Sequence, residues 1–272
     1  IAFEPYYDSY VAGIAMAGAT RVPLLLRAPD FRPDLAELES RITPRTRLLL
    51  LNSPHNPTGM VLTRQETEAI ARIVIDHDLL VVTDEAYEHL TFGPEHIPLA
   101  TVAGLRGRVV SVGSAGKTFS FTGWKVGWAT GTPDLVNAVR TTKQFLTFVA
   151  SGPFQYAVAE ALALPDRYYT DLAADLRARR DLMAAGLRDI GFGVYPPDGT
   201  YFITTDIAPL GEPDATRFCL ALPDRAGVVA IPSSVFYADH PEAGATMVRF
   251  AFCKRPELLK EALSRLAVLA PG

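Results

Sequence analysis

The chain has 272 residues, of which 49% are hydrophobic and 21% charged, so we expect a packed core rather than disorder. Its net charge of −4 argues against non-specific nucleic-acid binding and leaves small anionic ligands to local basic sites. The only cysteines, Cys219 and Cys253, are expected to be buried free thiols in a reducing compartment. With neither a signal peptide nor an apolar run long enough to span a membrane, we expect a cytoplasmic protein without a membrane partner.

The first part of the chain alternates short apolar runs with amphipathic stretches. A capping-box pair, Thr63 and Glu66, starts one helix, and Thr132 with Pro133 starts another. Alternating strands and helices predict a mostly parallel, mixed sheet with helices on both faces. The predicted strands are Leu48–Leu51, Leu79–Thr83, Val109–Val112 and Val126–Thr130.

The pattern changes after about Pro165. Residues 166–190 form one long Arg- and Asp-rich stretch with helical character, and short strands mixed with helices follow it. We therefore expect residues 1–168 to form the C-terminal part of a large, ligand-binding α/β domain, and residues 169–272 to form a long linking helix and a smaller C-terminal α/β domain. The later elements are strands Tyr201–Thr205, Val228–Ile231 and Met247–Phe252, and a last helix Pro256–Leu269.

Two common kinds of site fit poorly. The segment SVGSAGKT resembles a nucleotide phosphate loop, but Ser111 stands where the first glycine is needed, and FSFTGW is a poor helix start. No GxGxxG follows a strand, so a dinucleotide fold is also weakly supported. The segment DEAYEH offers Asp84, Glu85, Glu88 and His89 at what looks like a helix start, but no second histidine lies at ligand spacing. We predict no metal site.

A different set of polar groups follows three of the predicted strands. Asn56 lies in the turn-rich loop SPHNPTG, Asp84 and Tyr87 share one face of a predicted helical turn, and Lys117 lies in a Gly/Ser loop. The carboxyl ends of parallel strands form the ligand-binding edge of an open α/β sheet. An amide, a carboxylate, a phenol and an amine are therefore expected at this edge.

Pyridoxal 5'-phosphate requires this combination of groups. A lysine amine forms a Schiff base with the cofactor aldehyde. A carboxylate keeps the ring nitrogen protonated, so that the ring accepts electrons from the substrate. An amide and a phenol can donate hydrogen bonds to the ring 3-oxygen, which lowers the pKa of the imine.

The motifs NPTG, D-x-x-Y and SxGK followed by GWKxGW, in this order, resemble those of the class I, fold-type-I pyridoxal-phosphate-dependent aminotransferases. The resemblance covers essentially the whole chain. It implies that Lys117 is the Schiff-base lysine and also the base that moves a proton between substrate Cα and cofactor. It implies that Asp84 is the ring-nitrogen partner and that Asn56 and Tyr87 bind the 3-oxygen.

The same resemblance assigns the remaining site residues. Ser114 and Lys125 would bind the cofactor phosphate, with Lys125 where many relatives carry arginine, and Tyr7 would stack on the cofactor ring. Arg249, in MVRFAFCK, would bind the substrate α-carboxylate, because a guanidinium can grip a carboxylate through two parallel hydrogen bonds. Asn56 would also contact the substrate.

Each assignment has a structural alternative. Asp84 could be an ordinary helix-start carboxylate, Tyr7 a core aromatic, Arg249 half of an ion pair and Lys125 a surface cation. We interpret His55 as a loop residue. Three aromatic residues are expected to be packing residues rather than substrate contacts: Phe121, Trp124 and Trp128. Tyr201, in DGTYF, could approach the substrate, but we expect it in the core.

The resemblance implies an aminotransferase that moves an amino group from an amino acid to a 2-oxo acid such as 2-oxoglutarate, as a cytoplasmic homodimer with a shared active site. GWKVGW, GTYF and VRFAFCKR resemble the kynurenine/glutamine aminotransferase group, and the C-terminal half resembles actinobacterial N-succinyldiaminopimelate aminotransferases of lysine biosynthesis. Kynurenine, glutamine or methionine aminotransfer and cysteine-conjugate β-elimination remain alternatives, as does a cofactor-binding domain of a transcription regulator.

The chain starts at Ile1, after the region where members of this family have a phosphate-binding loop and a tyrosine donated to the partner subunit. We expect that an N-terminal portion is absent. A protein of only these residues is expected to bind the cofactor weakly or not at all, and to be inactive alone.

Overall fold

The computed structural model describes residues 1–271 and divides into two compact units. The first unit, called unit 1, comprises Ile1–Ala2, Asp34–Pro54 and Val61–Ala173. The second, unit 2, comprises Phe3–Pro33, His55–Met60 and the described residues from Ala174 onward. The sequence-based division after residue 168 stays a prediction.

The elements are numbered here in chain order. Among the described residues, the strands are β1 (Ala2–Glu4), β2 (Pro23–Leu25), β3 (Leu48–Asn52), β4 (Leu80–Asp84), β5 (Val109–Ser114), β6 (Gly127–Thr130), β7 (Gly193–Tyr195), β8 (Phe202–Asp206), β9 (Ile231–Pro232) and β10 (Met247–Ala251). The α-helices are α1 (Ser9–Met16), α2 (Leu35–Ser40), α3 (Arg64–Asp76), α4 (Ala115–Thr118), α5 (Pro133–Leu146), α6 (Gly152–Leu162), α7 (Asp166–Ile190), α8 (Ala215–Ala226) and α9 (Pro256–Leu266).

Unit 1 is built on a mostly parallel sheet. β3, β4 and β5 are parallel neighbours, and β6 pairs antiparallel with β5. The start of β1 is parallel to β3, with Ala2 opposite Leu50. Apolar side chains such as Leu49, Val81 and Val109 are buried, as expected for parallel strands covered by helices. Asn52 lies opposite Asp84, and Asp84 opposite Val112, so these three strands end at a common edge.

Two helices of unit 1 start where the sequence indicates. At the start of α3, the Thr63 side chain accepts from Glu66 N and the Glu66 carboxylate accepts from Thr63 N, so the predicted capping box is confirmed. At the start of α5, Thr132 is the N-cap residue and Pro133 follows it, but the Thr132 side chain makes no capping hydrogen bond.

Unit 2 contains an antiparallel sheet of strand order β7-β8-β10-β9. Its buried side chains include Ile203, Phe218, Val248 and Phe250. Most of α7 belongs to this unit, and α8 and α9 follow it in the chain. In the same unit β2 lies beside the end of β1, where Leu26 N donates to Glu4 O.

The predicted α/β class with a mostly parallel sheet is confirmed, while three local predictions are wrong. Residues 85–90 form turns closed by Glu88 N to Glu85 O and Leu90 N to Tyr87 O, not a helical turn. The predicted strand Val228–Ile231 shrinks to Ile231–Pro232 because only this part pairs with β10. Cys219 is buried as expected, but Cys253 is exposed, because the alternation of buried Phe250 and Phe252 with exposed Ala251 continues past the end of β10. Within residues 1–271, every helix is too short or too polar to cross a membrane.

Candidate active site

The predicted reactive lysine lies on a very short helix. β5 ends at Ser114, and Lys117 is the third residue of the four-residue helix α4. A Cβ atom on Gly116 would lie 2.8 Å from the Cα of Thr122, so α4 packs directly against the following backbone. Gly113 is equally restricted, because a Cβ there would lie 2.2 Å from the indole nitrogen of Trp128. These close approaches explain the glycines around the lysine.

Aromatic residues hold the end of α4. The Tyr168 hydroxyl donates to the Thr118 carbonyl at 3.1 Å, and the Tyr168 ring stacks on Phe119 with 5.6 Å between the ring centroids. A further stack joins Phe121 to Trp124 and Trp124 to Phe154. A helix of one turn has little stability of its own, so we infer that these contacts fix the direction of the lysine side chain.

The four aromatic residues predicted to pack differ in how deeply they are buried. Phe121 and Trp128 pack against a buried cluster in unit 1. Trp124 stacks between the rings of Phe121 and Phe154 but is exposed, because stacking covers only the faces of its ring. Tyr201 is only half-buried, not a core residue, and its ring contacts Phe202 at 4.5 Å between the centroids.

The predicted carboxylate and phenol lie at the end of the neighbouring strand. Asp84 is the last residue of β4, and its Oδ1 accepts a hydrogen bond from Ala86 N at 3.0 Å. The Tyr87 ring is buried, and its centroid lies 5.8 Å from the Lys117 Nζ. Unit 1 therefore brings together the amine, the phenol and the strand end that carries the carboxylate.

Asn52 is a structural residue of this edge that the sequence reasoning missed. Its side chain is buried at the end of β3, and its Nδ2 donates to the Asp84 carbonyl at 2.8 Å and to the Pro54 carbonyl at 3.1 Å. It thereby joins the ends of β3 and β4. A signal was available, since a single polar residue closes the apolar run LLLLN.

A second set of ionisable groups follows Asp84 in the chain. Glu85 is buried, and its Oε1 accepts from Leu99 N at 3.2 Å while its Oε2 lies 3.7 Å from His96 Nε2. Burial raises the pKa of the Glu88 carboxyl and the Glu85 charge raises it further, whereas His96 opposes them. Burial, followed by the His96 charge, lowers the pKa of His89. Within residues 1–271, no three His, Cys, Asp or Glu side chains form a group that could hold a metal ion.

Two other predicted site residues contact each other in unit 2. Arg249 on β10 donates from Nη1 to Asn56 Oδ1 at 2.6 Å. The guanidinium carbon lies 3.9 Å from the centroid of the Phe202 ring and 4.5 Å from that of Phe236. Asn56 is buried and Arg249 is half-buried.

The loop that carries Asn56 is tightly anchored within unit 2. The Gly59 carbonyl accepts from Asp198 N and Gly199 N, and Thr204 Oγ1 donates to the Pro57 carbonyl at 3.4 Å. Gly59 has φ +77°, and a Cβ there would lie 2.1 Å from the Pro197 Cβ, so glycine is required at this position. The sequence identifies this loop as a turn but does not reveal what it packs against.

His55, which the sequence suggests is a simple loop residue, is fully buried. Its Nδ1 lies 2.7 Å from Thr58 Oγ1, and its ring makes an edge contact with Phe3. Burial lowers the pKa of His55 to about 3, although a hydrogen bond to the Pro5 backbone acts in the opposite direction. The imidazole is therefore neutral near pH 7.

The other three predicted residues lie in accessible positions. Ser114 is half-buried at the junction of β5 and α4. Lys125 is exposed and adopts the left-handed conformation, with φ 54°. Tyr7 is 43% exposed, so it is not a core aromatic, and its ring makes an edge contact with Tyr10.

The chain is similar in sequence and fold to several aminotransferases. A probable N-succinyldiaminopimelate aminotransferase of Mycobacterium tuberculosis is 50% identical over 98% of this chain and 70% of that protein. Kynurenine–oxoglutarate transaminase 3 of Mus musculus is 36% identical over 96% of this chain and 64% of that protein. The solved structure of N-succinyldiaminopimelate aminotransferase from Mycobacterium tuberculosis matches 99% of this chain and 71% of that one, with a TM-score of 0.95.

The relatives of matching sequence and fold place the chain in a class of enzymes that transfer amino groups. The chain belongs to the class I and II aminotransferase family, whose family model matches residues 1–266. The resemblance drawn from NPTG, D-x-x-Y and SxGK is thereby confirmed, as is the predicted fold class.

Proposed function

We propose that the native full-length protein binds pyridoxal 5'-phosphate through Lys117. The donor chemistry of unit 1 fits this cofactor: an amine for the aldehyde, a carboxylate for the protonated ring nitrogen and a phenol for the ring oxygen. The observation that carries the proposal is the position of Lys117 Nζ, 5.8 Å from the centroid of the Tyr87 ring, beside the strand end of Asp84. Asn56, Ser114, Lys125 and Tyr7 are proposed as further cofactor-binding residues.

The bound cofactor would supply an electron sink for the electrons left when substrate Cα loses its proton. The amine of Lys117 would act as the base that takes this proton and returns it to a second carbon atom. Asp84 would hold the proton on the ring nitrogen. The hydrogen bond from Ala86 N supports its ionised form, because hydrogen bonds to a carboxylate favour the charged state.

Arg249 is proposed to bind the substrate α-carboxylate. Its planar guanidinium can make two parallel hydrogen bonds to a carboxylate, and its bond to Asn56 Oδ1 sets the direction of one edge. Asn56 would contact both cofactor and substrate. The enzyme is further proposed to be a cytoplasmic homodimer with a shared active site, on the basis of its family.

We propose that the amino donor is N-succinyl-LL-2,6-diaminopimelate, an intermediate of lysine biosynthesis, and that 2-oxoglutarate accepts the amino group. The relative with 50% identity supports this substrate, and 36% identity to a kynurenine–oxoglutarate transaminase supports the second candidate, kynurenine. Aminotransfer from glutamine or methionine and β-elimination from cysteine conjugates would use the same lysine. A transcription regulator with an aminotransferase-like domain is the alternative of another class.

Substrate assays separate these candidates. The native full-length protein is incubated with each amino donor and 2-oxoglutarate, and glutamate formation is measured in parallel with pyruvate release from a cysteine conjugate. We expect the largest kcat/KM for N-succinyl-LL-2,6-diaminopimelate and a loss of all activity in Lys117→Ala. Faster pyruvate release would favour the lyase, and the absence of turnover with every donor would favour the regulator.

A further inference from the structure

Two aromatic rings, those of Phe202 and Phe236, lie against the guanidinium of Arg249. The sheet of unit 2 accounts for their placement. Arg249 lies directly opposite Thr204 in the antiparallel pair of β10 and β8, and Phe202 is two residues from Thr204 on the same face. Phe236 comes from the short 3-10 turn Ser233–Phe236, which follows β9 on the other side of β10.

These contacts restrict the guanidinium in two different ways. Phe202 and Phe236 contact it through their rings, at 3.9 and 4.5 Å from the guanidinium carbon to the ring centroids. Both distances lie well inside the range of about 6 Å for an attractive cation–π contact. The hydrogen bond to Asn56 Oδ1, at 2.6 Å, then fixes the rotation of the group.

Resting on the proposed function of Arg249, we propose that Phe202 and Phe236 are positioning residues that make this arginine selective for a planar carboxylate. A carboxylate accepts two parallel hydrogen bonds only when the guanidinium plane is correctly directed. The rings hold that plane before the substrate arrives, so less rotational freedom is lost on binding. The oriented guanidinium adds less to the affinity for a neutral carboxamide, since a carboxamide offers only one acceptor oxygen.

The test replaces each ring with an aliphatic side chain. Phe202→Leu and Phe236→Leu keep an apolar side chain but remove the aromatic face, while Phe202→Tyr keeps the face and is the matched control. We expect each leucine variant to raise KM for an amino acid about tenfold with kcat within about twofold, because the rings act on binding. Phe202→Tyr should stay within about twofold of wild type, and kcat/KM for the corresponding amino acid amide should change little in all three variants.

Binding is measured separately from turnover. Calorimetric titration with glutarate, which has carboxylates but no amino or oxo group, is expected to give about a tenfold higher Kd in the leucine variants. Equal cofactor absorption in all variants would show that each protein is folded and loaded. Wild-type Kd in both leucine variants, or an equal loss of kcat/KM for the acid and the amide, would overturn the proposal.

Arg249→Lys distinguishes this proposal from the proposed function beneath it. If Arg249→Lys weakens glutarate binding while both leucine variants bind normally, the arginine keeps its role and only the ring proposal fails. If Arg249→Lys also binds glutarate normally, the carboxylate site lies elsewhere and the assignment of Arg249 in the proposed function fails too.

Discussion

At the residue scale, His55 is the group whose charge state the fold alters most clearly. Its ring is buried within the loop that carries Asn56, next to Thr58 and Phe3. An imidazolium placed there would lose its hydration, so the neutral form is favoured. This explains why the pKa falls from its ordinary value of 6.5 to about 3.

The depressed pKa of His55 predicts a loss of stability in acid. Between pH 6.5 and about 3, the unfolded state binds a proton that the folded state does not. The free energy of unfolding should therefore be unaffected by this group above pH 6.5 and fall as the pH decreases, by up to about 1.4 kcal/mol per pH unit. Urea unfolding at pH 7, 6 and 5 measures this slope.

Two variants test the assignment of this slope. His55→Gln should show a smaller dependence on pH than wild type, whereas His77→Gln, which removes an exposed imidazole, should retain the wild-type slope. The same slope in wild type and His55→Gln would contradict the role given to His55.

At the scale of the element, the formation and direction of α4 depend on the residues packed against it. Four residues form at most one helical turn, and nucleating such a turn is unfavourable in isolation. Its direction comes from the backbone contact of Gly116 with Thr122 and from the hydrogen bond between Tyr168 and the Thr118 carbonyl. The position of Lys117 is therefore a property of the packed loop.

We predict that Gly116→Ala disturbs this loop. The new methyl group would lie 2.8 Å from the Thr122 Cα, and because the clash is with backbone, the chain must shift. The expected cost is about 1–3 kcal/mol in the free energy of unfolding, with lower cofactor affinity.

The matched control is Gly123→Ala in the same loop. A Cβ at Gly123 has no neighbour within 4 Å, so this substitution should change stability by less than about 0.5 kcal/mol. Urea unfolding and titration with pyridoxal phosphate compare the two variants. Equal behaviour of Gly116→Ala and Gly123→Ala would mean that the contact between α4 and Thr122 is unimportant.

At the scale of the whole molecule, contacts distant in sequence hold unit 2 together. The Glu4 carboxylate is fully buried, and its Oε1 accepts from Ala238 N at 2.6 Å and Asp239 N at 2.8 Å. Its Oε2 pairs with His240 Nδ1. Over 230 residues separate Glu4 from these partners. Its hydrogen bonds therefore connect the end of β1 to the segment that follows the 3-10 turn Ser233–Phe236.

Removing this carboxylate should destabilise the protein strongly. Glu4→Ala leaves the backbone N–H groups of Ala238 and Asp239 without their acceptor, which should cost about 3 kcal/mol. Glu68→Ala, at an exposed position of α3, should change stability by less than about 0.5 kcal/mol. The free energy of unfolding, measured by urea titration, is compared between the two variants. Similar values for both would contradict the structural role of Glu4.

Contacts between residues distant in the chain are also the features that the sequence does not predict. Local patterns were sufficient to predict that three residues lie near one another: Lys117, Asp84 and Tyr87. Each follows or ends a recognisable strand, and the parallel register brings the ends of β4 and β5 together. The pairing of Asn56 with Arg249 joins residues 193 positions apart, and no local pattern reports it. The rings over Arg249 and the burial of His55 and Glu85 were missed for the same reason. The segment 85–90 was mistaken for a helical turn because the spacing of its polar residues is compatible with a helix as well as with successive turns.

The central claim is that Lys117 carries the cofactor, and its most direct test is chemical. Native full-length protein loaded with pyridoxal phosphate is reduced with borohydride, digested and mapped by mass spectrometry. We predict the mass of a phosphopyridoxyl group on the peptide that contains Lys117 and its absence from the peptide that contains Lys125. Modification of another lysine in place of Lys117, or no modified lysine at all, would contradict the account.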